Sequence, residues 1–361
     1  MKITIDISQM CYQGTGVARY LRGLTRSLLE LKSAHQFVFF AGVLRQQSFF
    51  RELSHLSPWD RAEWRILPLP PKLAGLALNS LPIPFEWLTG KADIIHTSDW
   101  SAPFSQFPLV TTVHDLVFKK YPDTVDPLIR DTQIKRLSRL VQTDVQIIAD
   151  SESTKNDLME IYSLKESRIT VIYPGIDQIY SPQSKHEIDR VKTKYNLPDR
   201  FVLSVGTQEP RKNVARLVQA VQGLDLPLVL TGKYGWGHQT ATPGVSTLGF
   251  VPDADLPAIY SAATVFAYPS LYEGFGFPVL EAMACGTPVV TSNVSSLPEV
   301  GGQAAVLVDP LSIESIRQGI VTAQADKDLR IKRGFAQAKK FTWERAAKQT
   351  MEVYEKTHNR D

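Results

Sequence analysis

The sequence predicts an α/β protein of two doubly wound domains, each a parallel sheet covered by helices on both faces. Three observations predict it. Short apolar runs alternate with stretches of helical spacing, and the alternation is run through twice. The pattern breaks once, around residues 174–184, at the turn signals Pro174-Gly175 and Ser181-Pro182. The length of 361 residues suits about two domains of ~150–180 residues. Two such sheets facing each other make a cleft between the C-terminal ends of their strands, where doubly wound sheets bind ligands.

In the first half, Ile3–Ile7 reads as a buried strand. Gly14-Thr15-Gly16 follows, and then Val17, Tyr20, Leu21, Leu24, Leu28 and Leu31 recur at helical spacing. Phe37–Val43 is the next strand. Ile94-Ile95, Leu109–Val113, Gln146–Ala149 and Ile169–Ile172 continue the series, with a helix over Leu128–Val141. In the second half, strands are expected at Phe201–Val205, Leu228–Leu230, Val265–Tyr268, Val289-Val290 and Val306–Val308. Helices are expected at Val214–Val221, Leu256–Ala262 and Phe277–Ala284. Residues 311–357 read as mostly helical, and the last piece begins at Trp343.

Residues 58–88 interrupt the first half. They hold Trp59, Trp64 and Trp87, the cations Arg61, Arg65 and Lys72, and the apolar Leu73, Leu76, Leu78, Leu81 and Ile83. One reading is a loop and helix packed on its own domain. The other is a surface for an acceptor or a membrane.

Composition excludes several classes. Hydrophobic residues are 43% and charged residues 21%, as in a globular rather than a disordered chain. The net charge of +3 is spread evenly: 20 cations stand against 19 anions in residues 1–178, and 20 against 18 after them. No basic arm for nucleic acid is present. Cys11 and Cys285 sit in unrelated contexts, which argues against a disulfide framework or a zinc site and suits a reducing compartment. The N-terminal residues read as a strand and lack the apolar run of a signal peptide. No stretch of ~18 apolar residues is present to span a membrane. The expected location is the cytoplasm.

Four groups of residues point to chemistry. Gly14, Thr15 and Gly16 lie between the first strand and the first helix. There they make either a tight turn or a close approach of backbone N–H groups to a phosphate. A dinucleotide fingerprint would need a third glycine near Arg19 and an acid ending the second strand. Neither is present, so an NAD-dependent reading is disfavoured. Gly206 opens the loop Gly206-Thr207-Gln208-Glu209-Pro210-Arg211-Lys212-Asn213, which sets two adjacent cations at the C-terminal end of a strand. They suit a diphosphate whose charge grows as it leaves.

The third group is Glu273-Gly274-Phe275-Gly276-Phe277-Pro278-Val279-Leu280-Glu281, after the strand Val265–Tyr268. Pro278 suits the first turn of a helix, and Glu281 is expected within that turn, near the positive end of the helix. Glu273 belongs to the loop. Two carboxylates so placed can hold different hydroxyl-bearing parts of one ligand. The fourth group is His114-Asp115, at the end of Leu109–Val113, where a neutral His114 can donate or accept a hydrogen bond. His96 occupies a similar edge.

The Glu273-x7-Glu281 segment, the Arg211-Lys212-Asn213 loop and Ala284-Cys285-Gly286-Thr287-Pro288-Val289-Val290 resemble family 4 of the retaining glycosyltransferases. The resemblance is most specific in residues 201–310. Within the family it is greatest to bacterial mannosyltransferases of surface polysaccharide synthesis. It implies the GT-B fold, two doubly wound Rossmann-like domains facing a central cleft. The implied domains are 1–178 for the acceptor, 179–342 for the nucleotide sugar, and a helix 343–361 crossing back to the first domain. The implied donor is a nucleotide-diphosphate sugar, with GDP-mannose favoured over a UDP-sugar. The implied acceptor is a glycan or a lipid-linked oligosaccharide.

In the residues that match, Arg211 and Lys212 would hold the diphosphate and Glu281 the ribose. Glu273 would contact the sugar hydroxyls, helped by backbone around Gly274, Phe275, Gly276 and Phe277. Gly16 and its neighbours would approach the distal phosphate, and His114 the transferred sugar. No permanently bound cofactor is implied. No Asp-x-Asp stands at a strand end, so metal independence is expected. Loops such as Thr231–Trp236 and Gly249–Val251 are expected to read the base. Peripheral contact with the inner face of a membrane is an open expectation, and so is the oligomeric state. A non-catalytic nucleotide-sugar-binding protein is the reading from a different class.

Overall fold

The computed structural model describes residues 1–12, 14–70, 79, 83–97, 99–232 and 243–359. The chain divides into two compact units, Met1–Gly175 together with Thr342–Asp361, and Ile176–Phe341.

Among the described residues the first unit is built on seven strands: β1 (Lys2–Asp6), β2 (Gln36–Gly42), β3 (Glu63–Leu67), β4 (Ile94–Thr97), β5 (Leu109–Val113), β6 (Gln146–Ala149) and β7 (Ile169–Val171). They form one sheet in the order β3-β2-β1-β4-β5-β6-β7. Every pairing is parallel, and Ile3 lies between Phe37 and Ile94. Both faces are covered, which is why the inner strands are runs of Ile, Val and Phe rather than alternating patterns. Phe39, Ile95, Val110 and Ile147 are fully buried.

The helix Gly16–Glu30 starts at Thr15, whose hydroxyl accepts from the Ala18 N–H. It buries Tyr20, Leu21, Leu24 and Leu28 at helical spacing. The helix Trp343–His358 packs against it, with the Trp343 ring edge-on to Tyr20 at 6.0 Å between centroids.

The second unit has six strands among the described residues: β8 (Val202–Val205), β9 (Leu228–Thr231), β10 (Val245–Thr247), β11 (Val265–Tyr268), β12 (Val289–Ser292) and β13 (Val306–Val308). Their order is β10-β9-β8-β11-β12-β13, again all parallel. One face of this sheet is closed by Leu217, Val221, Ile316 and Ile320 packing on Val202, Leu228 and Val265. In each unit the strand order reverses beside the first strand, between β1 and β4 and between β8 and β11. Loops at the C-terminal ends of those strands flank the crevice where such sheets take ligands.

Two strands were not anticipated. β3 lies within the 58–88 stretch. Among the described residues it is an edge strand pairing with β2 alone, and Glu63-Trp64-Arg65-Ile66-Leu67 carries little of the apolar signal of a central strand. β10 is three residues long. The tryptophans of that stretch divide. Trp59 is buried and donates to the Thr25 hydroxyl at 3.2 Å, and the Trp64 ring packs edge-on to Phe39 at 5.4 Å between centroids. Both hold the segment to its own unit, whereas Trp87 is 77% exposed. Residues 71–78 and 80–82 of the stretch, with Lys72, Leu73, Leu76, Leu78 and Leu81, lie outside the described residues.

Candidate active site

In the second unit, the loops after β8 and β11 carry an ionic cluster. β8 runs into Gly206, and the chain turns through the short 3-10 segment Pro210–Lys212 to reach the helix Val214–Val221. Asn213 fixes this turn. Its backbone is left-handed at φ 59°, and its buried amide donates to the Pro269 carbonyl at 3.0 Å and to the Pro310 carbonyl at 2.7 Å. The Leu271 N–H donates to the Arg211 carbonyl at 2.8 Å. The two loops are thereby tied before any charged side chain is considered.

The charges then converge. Lys212 Nζ lies 2.7 Å from Glu273 Oε1, and Arg211 Nη1 lies 2.8 Å from Glu273 Oε2. Arg211 also donates to the Tyr272 carbonyl at 2.6 Å and pairs with Glu209. Lys212 donates to the Tyr268 hydroxyl. None of these four charged side chains is more than 14% exposed. Burial alone would raise the Glu273 carboxyl, but Arg211 and Lys212 outweigh it and hold it at about 2. Burial and the neighbouring Arg211 guanidinium pull the Lys212 ammonium below its ordinary range. Burial and the Glu273 charge keep the Tyr268 hydroxyl protonated.

A buried ionic cluster contributes little net stability against an apolar replacement. Its position at the crevice of a doubly wound sheet makes it a candidate ligand site.

Glycines shape the rim. The loop after β9 passes so close to the loop after β8 that a Cβ on Gly232 would lie 2.0 Å from the Gly206 carbonyl oxygen. Gly276, at φ 110°, caps the helix Phe277–Ala284. Gly274 and Phe275 are buried, and the Phe275 ring packs edge-on to Phe277 and to Phe341. Ser296 accounts for the loop carbonyls, its hydroxyl lying 2.9 Å from the Glu273 oxygen and 2.7 Å from the Phe275 oxygen.

Glu281 is the fifth residue of its helix, one place beyond the expected first turn. Counted from Phe277, a first turn of about 3.6 residues ends at Leu280. Its carboxylate is 1% exposed and accepts from the Tyr260 hydroxyl at 2.7 Å. Residues 233–236 of the loop expected to read the base lie outside the described residues.

The first unit holds the remaining candidates. Gly14, Thr15 and Gly16 are exposed at the start of their helix. His114 follows β5 and lies 2.6 Å, Nδ1 to Oδ2, from Asp150, which follows β6. The sequence expectation of a neutral His114 is corrected. Burial opposes its charge, but Asp150, with Asp99 and Asp115, outweighs burial and raises it to about 9.

His96 has a different place. Its Nδ1 meets the Tyr354 hydroxyl at 2.6 Å and its Nε2 the Thr112 hydroxyl at 2.8 Å, both inside the core. Burial, with the charge on His114, lowers it to about 3. It is a neutral structural residue.

Sequence reading missed Arg136, which is 1% exposed. It donates to Thr111 Oγ1 at 2.9 Å and lies 3.2 Å from Asp99, fixing the edge beside His114. It also missed Glu209 and Asp150. Among the described residues, no three His, Cys, Asp or Glu side chains gather as a metal ion would need. Nor is any helix among them long and apolar enough to cross a membrane. Cys11 and Cys285 are free and buried.

Comparison with known proteins bears on this geometry. Residues 14–178 match the model described as Glycosyltransferase Family 4, and residues 185–340 match that of Glycosyl transferases group 1. O-antigen chain mannosyltransferase B of Escherichia coli is 36% identical over 281 residues, 72% of this chain and 74% of that protein. A serotype-specific mannosyltransferase of the same organism, WbdA, is 31% identical over 270 residues, 68% of this chain but 33% of its own length. Among solved structures, sucrose-phosphate synthase from Thermosynechococcus elongatus superposes with a TM-score of 0.78 over 100% of both chains, at 21% identity. The fold it shares with this chain is GT-B. With both parallel sheets, the Glu273 and Glu281 segment and a 36% identical relative in agreement, the chain belongs to glycosyltransferase family 4, a family of retaining hexosyltransferases.

Proposed function

We propose that this enzyme transfers mannose from GDP-mannose to a glycan or lipid-linked oligosaccharide acceptor in the synthesis of a surface polysaccharide. The observation that carries the reading is the Arg211–Glu273–Lys212 cluster at the crevice between β8 and β11. The mannosyl part rests on the mannosyltransferases of Escherichia coli that the chain resembles at 31–36% identity.

In this reading the second unit holds the donor. Arg211 and Lys212 bind the diphosphate and stabilise the charge that develops as it leaves. Glu273, kept ionised by both cations, accepts hydrogen bonds from the sugar hydroxyls, together with backbone of Gly274, Phe275, Gly276 and Phe277. Glu281 accepts from the ribose. The first unit takes the acceptor, the Gly14–Gly16 turn approaches the distal phosphate, and His114 donates to the transferred sugar. Attack comes from the face the diphosphate leaves, which retains configuration, and the leaving diphosphate accepts the acceptor's proton. No carboxylate need act as a covalent nucleophile, and no metal is required. The exposed Trp87 and its neighbours are candidates for peripheral membrane contact.

Isothermal calorimetry against GDP, UDP and ADP, each with and without EDTA, tests the donor. The expected result is binding of GDP alone, insensitive to EDTA, and weakened by Glu281→Ala. Preference for UDP would replace the sugar class. Hydrolysis and transfer both absent with every donor would point to a binding protein.

A further inference from the structure

We propose that Asp150 is a positioning residue for the transfer reaction, holding the Nδ1 proton of His114 so that Nε2–H is the donor this side chain offers. The inference rests on the reading that His114 touches the sugar nucleotide, and it assigns the group that decides what His114 can do there.

The geometry carries it. A carboxylate can only accept, so an Nδ1···Oδ2 distance of 2.6 Å places a proton on Nδ1. The residue is held on other sides as well, at its ring and at its backbone. Tyr20 packs edge-on to it at 4.7 Å between centroids, and the Thr154 hydroxyl donates to the His114 carbonyl at 3.3 Å. Asp150 is 2% exposed and follows β6 directly, so its position is fixed by the sheet. Its second oxygen, Oδ1, is buried without a hydrogen-bond partner among the described residues, leaving His114 as its one partner there. His114 is 14% exposed at its side chain, and its Nε2 has no protein partner among the described residues.

The charged and titratable groups around the ring are Asp150, Asp99 and Asp115, which favour the cation, and the neutral His96 and Tyr20. The excess of carboxylates keeps the imidazole charged through the neutral range. A cation with both nitrogens protonated cannot serve as a general base. It can donate to a sugar hydroxyl or a phosphate oxygen, which agrees with a reaction in which the leaving diphosphate takes the acceptor's proton.

The experiment is a titration of the His114 ring by NMR, assigned with His114→Gln, together with kcat against pH from 5.5 to 9.5 for the wild type and Asp150→Asn. The wild-type ring should titrate near 9, and the alkaline limb of kcat should follow it. In Asp150→Asn the ring should move toward the ordinary value of about 6.5, with kcat about thirtyfold lower at pH 8 and largely regained at pH 6. KM should change little.

A wild-type ring titrating near 6.5 would overturn the inference without need of any variant. So would an Asp150→Asn ring that moves while kcat keeps its profile and His114→Gln is inactive. Wild-type kcat in His114→Gln would instead remove His114 from the reaction, which overturns the underlying reading and the role of Asp150 with it.

Discussion

Glu273 and Lys212 are 61 residues apart in sequence and 2.7 Å apart in the fold. Arg211 shares the same carboxylate at 2.8 Å. The two ends of this pairing should respond differently to truncation. Lys212→Ala leaves Glu273 matched to Arg211, so the fold should persist while transfer falls by about a hundredfold or more. Glu273→Ala strips Lys212 of its carboxylate inside a buried site and should cost about 3–5 kcal/mol of stability as well as activity. Denaturant midpoints beside transfer rates distinguish them. Full activity in Lys212→Ala would refute the diphosphate assignment.

His96 predicts the opposite separation. His96→Ala leaves the Tyr354 and Thr112 hydroxyls without their imidazole and should cost about 2–4 kcal/mol. Well below its melting temperature, the variant should keep wild-type kcat. A lost kcat at full folding would return His96 to the site.

The two histidines also set the pH dependence of stability. His96 is lowered to about 3, so the unfolded chain binds its proton first. Its contribution is complete above about 6.5 and is lost as pH falls toward 3. Glu273, held at about 2, adds to the acid loss below its ordinary value of about 4.5. His114 is raised to about 9. Its contribution is complete below about 6.5 and is lost as pH rises through 9. Urea midpoints between pH 4 and 10 should therefore peak near 6.5. His96→Gln should flatten the acid side, and His114→Gln the alkaline side.

Gly232 gives a steric prediction. In Gly232→Ala the new Cβ meets backbone, the Gly206 carbonyl oxygen at 2.0 Å, and not a side chain that can move aside. The loop carrying Arg211 and Lys212 must shift. Calorimetry with the nucleotide diphosphate that the wild type binds should show at least about a tenfold weaker Kd, since about 1.4 kcal/mol of lost contact suffices. Unchanged affinity would mean the loops are not coupled.

The sequence makes the sheets legible because a strand buried on both faces writes itself as a continuous apolar run. β8, β9 and β11 are of this kind, and the helices over 214–221, 256–262 and 277–284 have clear spacing and boundaries. The ligand-side loops are legible because Arg211, Lys212 and Glu273 sit directly after such strands. Long-range side-chain pairing leaves no such mark. His96 and Tyr354 meet across 258 residues, and nothing local to either announces the other. Asp150 reads as an ordinary strand-end acid, and Arg136 as one more cation on a helix. The helix Lys185–Tyr195 buries Val191 alone among its residues, too little apolar periodicity to be noticed.

The first unit is written in two pieces, Met1–Gly175 and Thr342–Asp361, with the whole of the second unit between them. A ribosome therefore finishes the second unit before it delivers Trp343 and Tyr354. Until then Tyr20 has no Trp343 ring beside it, and the His96 ring, buried beneath the last helix, lacks its tyrosine. The helix Trp343–His358 thus reaches the first unit only after the whole of the second has been made.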